Sequence, residues 1–347
     1  MAIAVFDYRL NVFFFFWPAY FPLDQPDDIF LPEPPPIVPK PYPWLVVSHG
    51  VGASKGVGQS FVDIASNEFY STQMPELDNK VICANRDGLL LLWDKNSWYY
   101  SLLNLVTKEL VQLPRDIHHY TEIYVLSSDN DVVIVAQSPP SFRRWRPGDK
   151  RFRTHSFSDT HVDEIVAATM FKGKLHFLTI SNTERFYALY TAEFVGPLLR
   201  FEKYAIEDLE DYAMYIDSYL FVTEGELLLV QKETGGFKSR TIRDVNIYRL
   251  DLSSLKWERV GNENLGGRTF FISSLHLSCV VAGDELGEGI QRNAIYFFKE
   301  ADRYVYVFHY EEAAISKSQL PCPYKHKTSP YIEDFGPPCQ WILIPPN

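Results

Sequence analysis

A glycine placed directly before an apolar run, and repeated at a near-constant interval, constrains this chain more than any other feature. It appears as Gly88 before Leu89-Leu90-Leu91-Leu92-Trp93, as Gly173 before Lys174-Leu175-His176-Phe177-Leu178, and as Gly225 before Glu226-Leu227-Leu228-Leu229-Val230. Glycine accepts the positive φ of a tight turn at little cost, so each instance reads as a hairpin entering a strand. Gly88, Asp131 (which heads a further apolar run) and Gly173 stand 43 and 42 residues apart. A period of about 40–45 residues is that of a propeller blade. The next step, from Gly173 to Gly225, is 52 residues, and its excess is assigned to a surface excursion over the acidic stretch Glu202 to Asp211.

Continuously apolar strands such as Leu89 to Trp93 need cover on both faces. Sheets stacked side by side around a ring supply that cover and leave few strand edges open. The 15% aromatic content agrees with pleated surfaces, and no long stretch after Trp44 carries a helical apolar period. Val245 to Asp251 followed by Lys256-Trp257-Glu258 has the strand, turn and Trp-bearing outer strand of kelch-like blades. The expected fold is all-β: a kelch-like β-propeller of six or seven blades over residues 44–347. Residues 1–43 are read as an extended, largely irregular Pro-rich tail, because Pro18, Pro22, Pro26, Pro32 and Pro34-Pro35-Pro36 forbid helix.

A net charge of -11 argues against general binding to nucleic acid or anionic membranes. The apolar run Val12 to Trp17 is far shorter than the roughly 20 residues of a membrane helix. No basic segment leads it and no small-residue cleavage site closes it, so secretion is not expected. Four scattered cysteines (Cys83, Cys279, Cys322 and Cys339) suit a reducing compartment, cytoplasmic or nuclear in preference to organellar.

Several segments resemble, in order, the plant F-box-associated propeller family known as domain of unknown function 295. They include Pro43-Trp44-Leu45-Val46, Tyr100-Ser101-Leu102-Leu103-Asn104, Arg146-Pro147-Gly148-Asp149, Phe171-Lys172-Gly173-Lys174-Leu175, Tyr248-Arg249-Leu250-Asp251-Leu252, Arg292-Asn293-Ala294-Ile295-Tyr296-Phe297 and Pro337-Pro338-Cys339-Gln340-Trp341. The resemblance covers roughly residues 41–346 and departs from the family pattern where Leu105 follows Asn104. It implies a propeller that holds the target of a ubiquitin ligase while a helical F-box docks the ligase core. Residues 1–43 are too Pro-rich to supply that helical unit, so ligase components are expected through another chain.

Gly50-Val51-Gly52-Ala53-Ser54-Lys55-Gly56-Val57-Gly58 has the glycine pattern of a nucleotide loop, and a nicotinamide-dependent oxidoreductase is the alternative it suggests. The loop resembles that of short-chain dehydrogenases, a family that also needs a Tyr followed four residues later by Lys, and no Tyr here has one. A blade-connecting loop is the expectation, with no cofactor and no catalytic residue. Cys322 and His326 form one loose pair rather than the two close pairs of a zinc site, so no metal is expected. His118-His119, His155 and His161 lie apart from it, Asp129-Asn130-Asp131 is too short for a calcium loop, and Asp159, Asp163 and Glu164 read as loop solvation.

The strongest binding candidate is the basic run Arg143, Arg144, Trp145, Arg146, Lys150 and Arg151 around the turn signal Pro147-Gly148-Asp149. It reads as a hairpin with its charges outward, suited to an acidic protein partner more than to nucleic acid. The function expected overall is a non-enzymatic protein-interaction module that binds a protein or peptide.

Overall fold

The computed structural model describes residues 3–7, 12–16, 40, 42–49, 58–72, 74–77, 80–86, 88–94, 97–115, 122–127, 131–157, 162–181, 186–195, 198–205, 216–235, 242–261, 265–273, 278–281, 283, 286–298, 304–320 and 339–342. Met1–Pro34 and Pro35–Asn347 are separate compact units. In the first, Ile3–Asp7 pairs antiparallel with Val12–Phe16. The second is all β apart from one 3-10 turn, Pro75–Leu77, among the described residues.

Its strands form six sheets, which makes it a six-bladed β-propeller. Blades 2 to 5 are four-stranded antiparallel meanders in simple chain order. Blade 2 comprises Lys80–Arg86, Leu89–Asp94, Tyr100–Asn104 and Leu110–Gln112; blade 3 comprises Glu122–Leu126, Val132–Ala136, Ser141–Trp145 and Arg153–Ser156. Blade 4 comprises Glu164–Phe171, Lys174–Ser181, Phe186–Val195 and Leu198–Ala205; blade 5 comprises Ile216–Thr223, Glu226–Thr234, Ile242–Asp251 and Lys256–Arg259. Blade 1 joins the two ends of the unit: Cys339–Ile342 pairs with Trp44–His49, followed by Gly58–Asp63 and Glu68–Thr72. Blade 6 departs from the pattern. It has five strands, and Thr269–Ile272 pairs parallel with Ala294–Phe298 and antiparallel with Ser278–Val281.

The repeated glycines do what their position predicts. Lys172 and Gly173 have φ of 49° and 76°, and Glu224 and Gly225 have 49° and 78°. Two consecutive positive φ values match a two-residue hairpin turn to the twist of its strands. Gly88, at φ 77°, serves the same connection between Arg86 and Leu89. Part of the longer step to Gly225 has a different origin from the one expected. Glu202 to Ala205 are not an excursion but the end of the strand Leu198–Ala205, paired with Ala188 to Thr191. Residues 206–211 lie outside the described residues.

The core is the set of blade–blade seams, which explains why the strands are apolar on both sides. Phe142 meets Phe177 across blades 3 and 4 at 5.0 Å, Phe221 meets Phe270 across blades 5 and 6 at 5.1 Å, and Phe271 meets Trp341 across blades 6 and 1 at 5.2 Å. Leu220 and Leu229 of blade 5 share a cluster with Leu178 and Leu189 of blade 4, and Trp44, Leu91 and Ile134 fall in one cluster spanning blades 1 to 3. Lys40 and Tyr42, assigned to the tail by the sequence reading, belong to this unit. Tyr42 is buried and donates its hydroxyl to Asp63 at 3.1 Å, and the Lys40 ammonium pairs with the same carboxylate.

Candidate partner-binding face

Alternation of strand direction fixes which turns share an end of the ring. In a four-stranded blade the turns joining strands one and two, and strands three and four, lie at the same end, and each blade re-enters from the other. The glycine turns at 88, 173 and 225 therefore face one way, together with the turns after Asn104, Trp145, Val195 and Asp251. Leu105 donates its amide to the Gly88 carbonyl at 2.9 Å, joining both kinds of turn in blade 2. Blade 6 aligns with them: Arg268 bridges to Glu226 beside the Gly225 turn at 2.9 Å, and the Tyr310 amide bonds the Asn293 carbonyl at 3.1 Å.

The basic run lies in the third strand of blade 3 and the turn after it, and the structure divides it. Arg143 and Trp145 are buried, and Arg144 is nearly so, contrary to the expectation of outward charges. A third strand is covered on both faces by neighbouring blades, so alternation offers it no solvated side. Each inward cation meets an acid from the same blade: Arg143 pairs with Glu122 and Arg144 with Asp131. Glu122 also accepts from the Tyr124 hydroxyl at 2.8 Å and the Tyr100 hydroxyl at 3.3 Å, so a fully desolvated carboxylate is held by three donors. Burial pushes the Tyr124 phenol up, as it does the neighbouring Cys83 thiol. The Trp145 indole donates to the Asp149 carbonyl at 2.9 Å.

Only the turn itself reaches solvent. Lys150 and Arg151 are exposed, and Arg146 is partly exposed with its Nε 3.5 Å from Asp131. Asp149 is already engaged, by the Arg146 amide at 3.2 Å and by Arg153 at 3.1 Å. The paired acids Glu122 and Asp131 stand 21 and 13 residues before their arginines, a separation with no periodic signature in the sequence.

The turn-bearing end also gathers exposed apolar side chains, which the sequence reading did not single out. Nine large hydrophobics are exposed among the described residues. Val106 and Leu110 flank the outer turn of blade 2, Val195 and Leu198 that of blade 4, and Leu252 lies in that of blade 5. Val222 stands beside the Gly225 turn and Ile315 follows the last turn of blade 6. Of the nine, Trp98 lies at the other end and Val111 on an outer strand.

Other motifs resolve less. Residues 50–57 of the glycine-rich loop lie outside the described residues; Gly58 opens the third strand of blade 1, so the loop joins two strands of one sheet. Asp129, Asn130, Asp159, Cys322, His326, His118, His119 and His161 also lie outside the described residues. Burial pushes the Glu164 carboxyl up. A cleft of about 280 Å³ on blade 4 is lined by Lys174, Thr191, Glu193, Arg200, Phe201 and Glu202, and its charges cancel in sign.

Solved structures similar to this chain include hydrazine synthase of Kuenenia stuttgartiensis (9% identity, TM-score 0.43, covering 87% of this chain and 99% of that one). YjhT matches at 12% identity and TM-score 0.40, covering 80% of this chain and 92% of that one. Virginiamycin B lyase of Staphylococcus aureus matches at 11% identity and TM-score 0.37, covering 88% of this chain and 84% of that one. No curated protein sequence matches the chain. The model of the KIB1-4 beta-propeller family matches residues 61–322, most of the length of the ring, and the chain belongs to that family.

Proposed function

We propose that this propeller is a non-enzymatic interaction module that binds a protein or peptide through the end of the ring carrying the glycine and outer turns. The observation that supports this is the distribution of exposed apolar side chains: of the nine among the described residues, seven stand in or beside turns at that end. Scattered exposed hydrophobics are ordinary on any protein, whereas their gathering at one end of a rigid scaffold is the usual mark of a binding surface. The resemblance to F-box-associated propellers supports a target-holding role.

Proximity labelling with the intact chain, compared with a Leu198→Asp and Leu252→Asp variant, tests the reading. The variant is expected to lose a defined subset of labelled neighbours while melting at the wild-type temperature. An unchanged set of neighbours overturns it. A thermal-shift measurement with nicotinamide nucleotides tests the enzyme alternative, since saturation at 100 times the dissociation constant stabilises by about 2.7 kcal/mol; no shift is expected.

A further inference from the structure

Blade 1 holds a lysine ammonium in a site whose other walls do not depend on it. Lys40 pairs with Asp63, whose side chain is only 4% exposed. The ammonium stands 4.6 Å from the centre of the Trp44 ring and 5.4 Å from that of Tyr42, and it donates to the Tyr42 hydroxyl at 3.3 Å. The Tyr70 ring meets Trp44 edge-on at 5.8 Å. Aromatic rings beside a desolvated carboxylate select an organic cation. A primary ammonium suits this one in particular, because the carboxylate and the Tyr42 hydroxyl each take one of its N–H donors.

The site lies at the end of the ring that carries the outer turns. Asp63 closes the third strand of blade 1, so the turn from Asp63 to Glu68 joins strands three and four. Gly289, in the blade 6 segment leading to Asn293, lies against Ala65 of that turn.

Everything but the cation is fixed from elsewhere. Tyr42 is buried in the cluster that holds Leu45 and Trp341, and its hydroxyl donates to Asp63 at 3.1 Å. The Ala65 amide donates to the same carboxylate at 3.0 Å, and Trp44 packs edge-on against Phe61 at 6.4 Å. Lys40 is held more lightly. Its side chain is 22% exposed, and it stands outside the strands on a flexible four-carbon stem. That stem can swing into solvent while Tyr42, Trp44 and Asp63 keep their places. A buried carboxylate that loses its cation is costly, so the departure of Lys40 leaves a site that calls for another ammonium. The net charge of -11, and Glu68 at the rim with the Tyr70 hydroxyl on its carboxylate at 2.9 Å, favour the approach of a basic segment.

We propose that Asp63, Trp44 and Tyr42 form a lysine-binding socket on the partner face, closed in the free protein by the chain's own Lys40, and that a lysine side chain of a protein partner enters by displacing it. The proposal rests on the reading of this end as the partner-binding face and names the group that the face recognises.

The test uses the full chain, n-butylammonium chloride as the free head of a lysine side chain, and a short labelled peptide carrying one Lys between two Pro. Lys40→Ala is expected to melt below wild type and to regain most of the loss in n-butylammonium chloride, but not in sodium chloride of equal concentration. Wild type should gain no more from one salt than from the other, and Lys40→Ala with Asp63→Asn should not distinguish them. In fluorescence anisotropy the peptide should bind Lys40→Ala about tenfold or more tightly than wild type, whose socket is open only while Lys40 is away. Norleucine in place of the peptide's Lys should abolish binding. A measurement on wild type needs no variant to fold: with excess amine-acetylating reagent, followed by mass spectrometry, Lys40 should react more slowly than exposed Lys150, and faster once the Lys peptide, but not the norleucine peptide, is added. Equal response of Lys40→Ala to the two salts, a response that survives Asp63→Asn, no peptide binding or equal binding by wild type and Lys40→Ala, or a Lys40 reactivity unmoved by the Lys peptide overturns the proposal. If proximity labelling still depends on Leu198 and Leu252 in that event, the face stands and only the lysine socket falls.

Discussion

The indole of Trp341 donates its N–H to the carbonyl of Ile272 at 3.1 Å. Trp341 lies on the last strand of the chain, which completes blade 1, and Ile272 lies in blade 6. Trp341 has no exposed surface, stacks edge-on against Phe271, and accepts at its own carbonyl the Asn85 side-chain amide of blade 2 at 2.9 Å. One residue thus ties three blades together at the seam where the ring closes.

Replacing Trp341 with Ala is expected to cost about 3–5 kcal/mol, the usual range for emptying a buried aromatic site. Trp341→Phe keeps most of the packing and leaves the Ile272 carbonyl without its donor, at about 1–3 kcal/mol. Urea unfolding midpoints of the two variants check the order; equal and small losses would mean that the seam does not limit stability.

Arg143 and Glu122 give a sharper contrast. Arg143→Ala strands a carboxylate with no exposed surface and is expected to destabilise by about 3–5 kcal/mol. Arg143→Met combined with Glu122→Gln removes both charges, and its cost should be well below that of the single change. The comparison reads out in chemical denaturation, and a double variant as unstable as the single one would refute the role given to the charge.

At Gly225, φ is 78° and an added Cβ would meet nothing within 4 Å. Gly225→Ala should therefore cost about 1–2 kcal/mol through backbone conformation alone. Gly225→Asn should recover part of that loss, because Asn tolerates the left-handed region. Melting temperatures of the pair decide it.

Burial holds His155 below the ordinary histidine value, helped by the charges of Arg144 and Arg153, and burial holds His176 down likewise. The unfolded chain then binds more protons than the folded one, so stability is full above about pH 6.5 and declines as pH falls toward the folded values. Melting temperature is expected to be lower near pH 5.5 than near pH 7.5, with a smaller difference in His176→Gln. Glu164, whose carboxyl burial pushes up, acts with the opposite sign, adding stability as pH falls through its raised value toward about 4.5, so the histidine contribution is read from the difference between wild type and His176→Gln. A His176→Gln profile identical to wild type would remove the assignment.

Much of the ring was legible in residues 88–93, 173–178 and 225–230, because a tight turn and a doubly covered strand are local demands that local sequence must meet. Blade 6 was not: the parallel pairing of Thr269–Ile272 with Ala294–Phe298 joins segments whose separate patterns name no partner. The basic hairpin shows the same divide. Its turn, at Pro147-Gly148-Asp149, followed from residue types alone. Which of its cations face solvent depended on Glu122, Asp131 and Phe194, brought to it by neighbouring strands and by the next blade.

The sequence by itself determined the strand-and-turn period, because φ preferences and two-sided apolar burial act within a few residues. Only the tertiary structure decided the blade number, the seam at Trp341 and the exposure of Lys150, Arg151 and Leu198. Those depend on how many sheets close a circle and on which side chains lose their water when the sheets meet, and both are properties of contacts between segments distant along the chain.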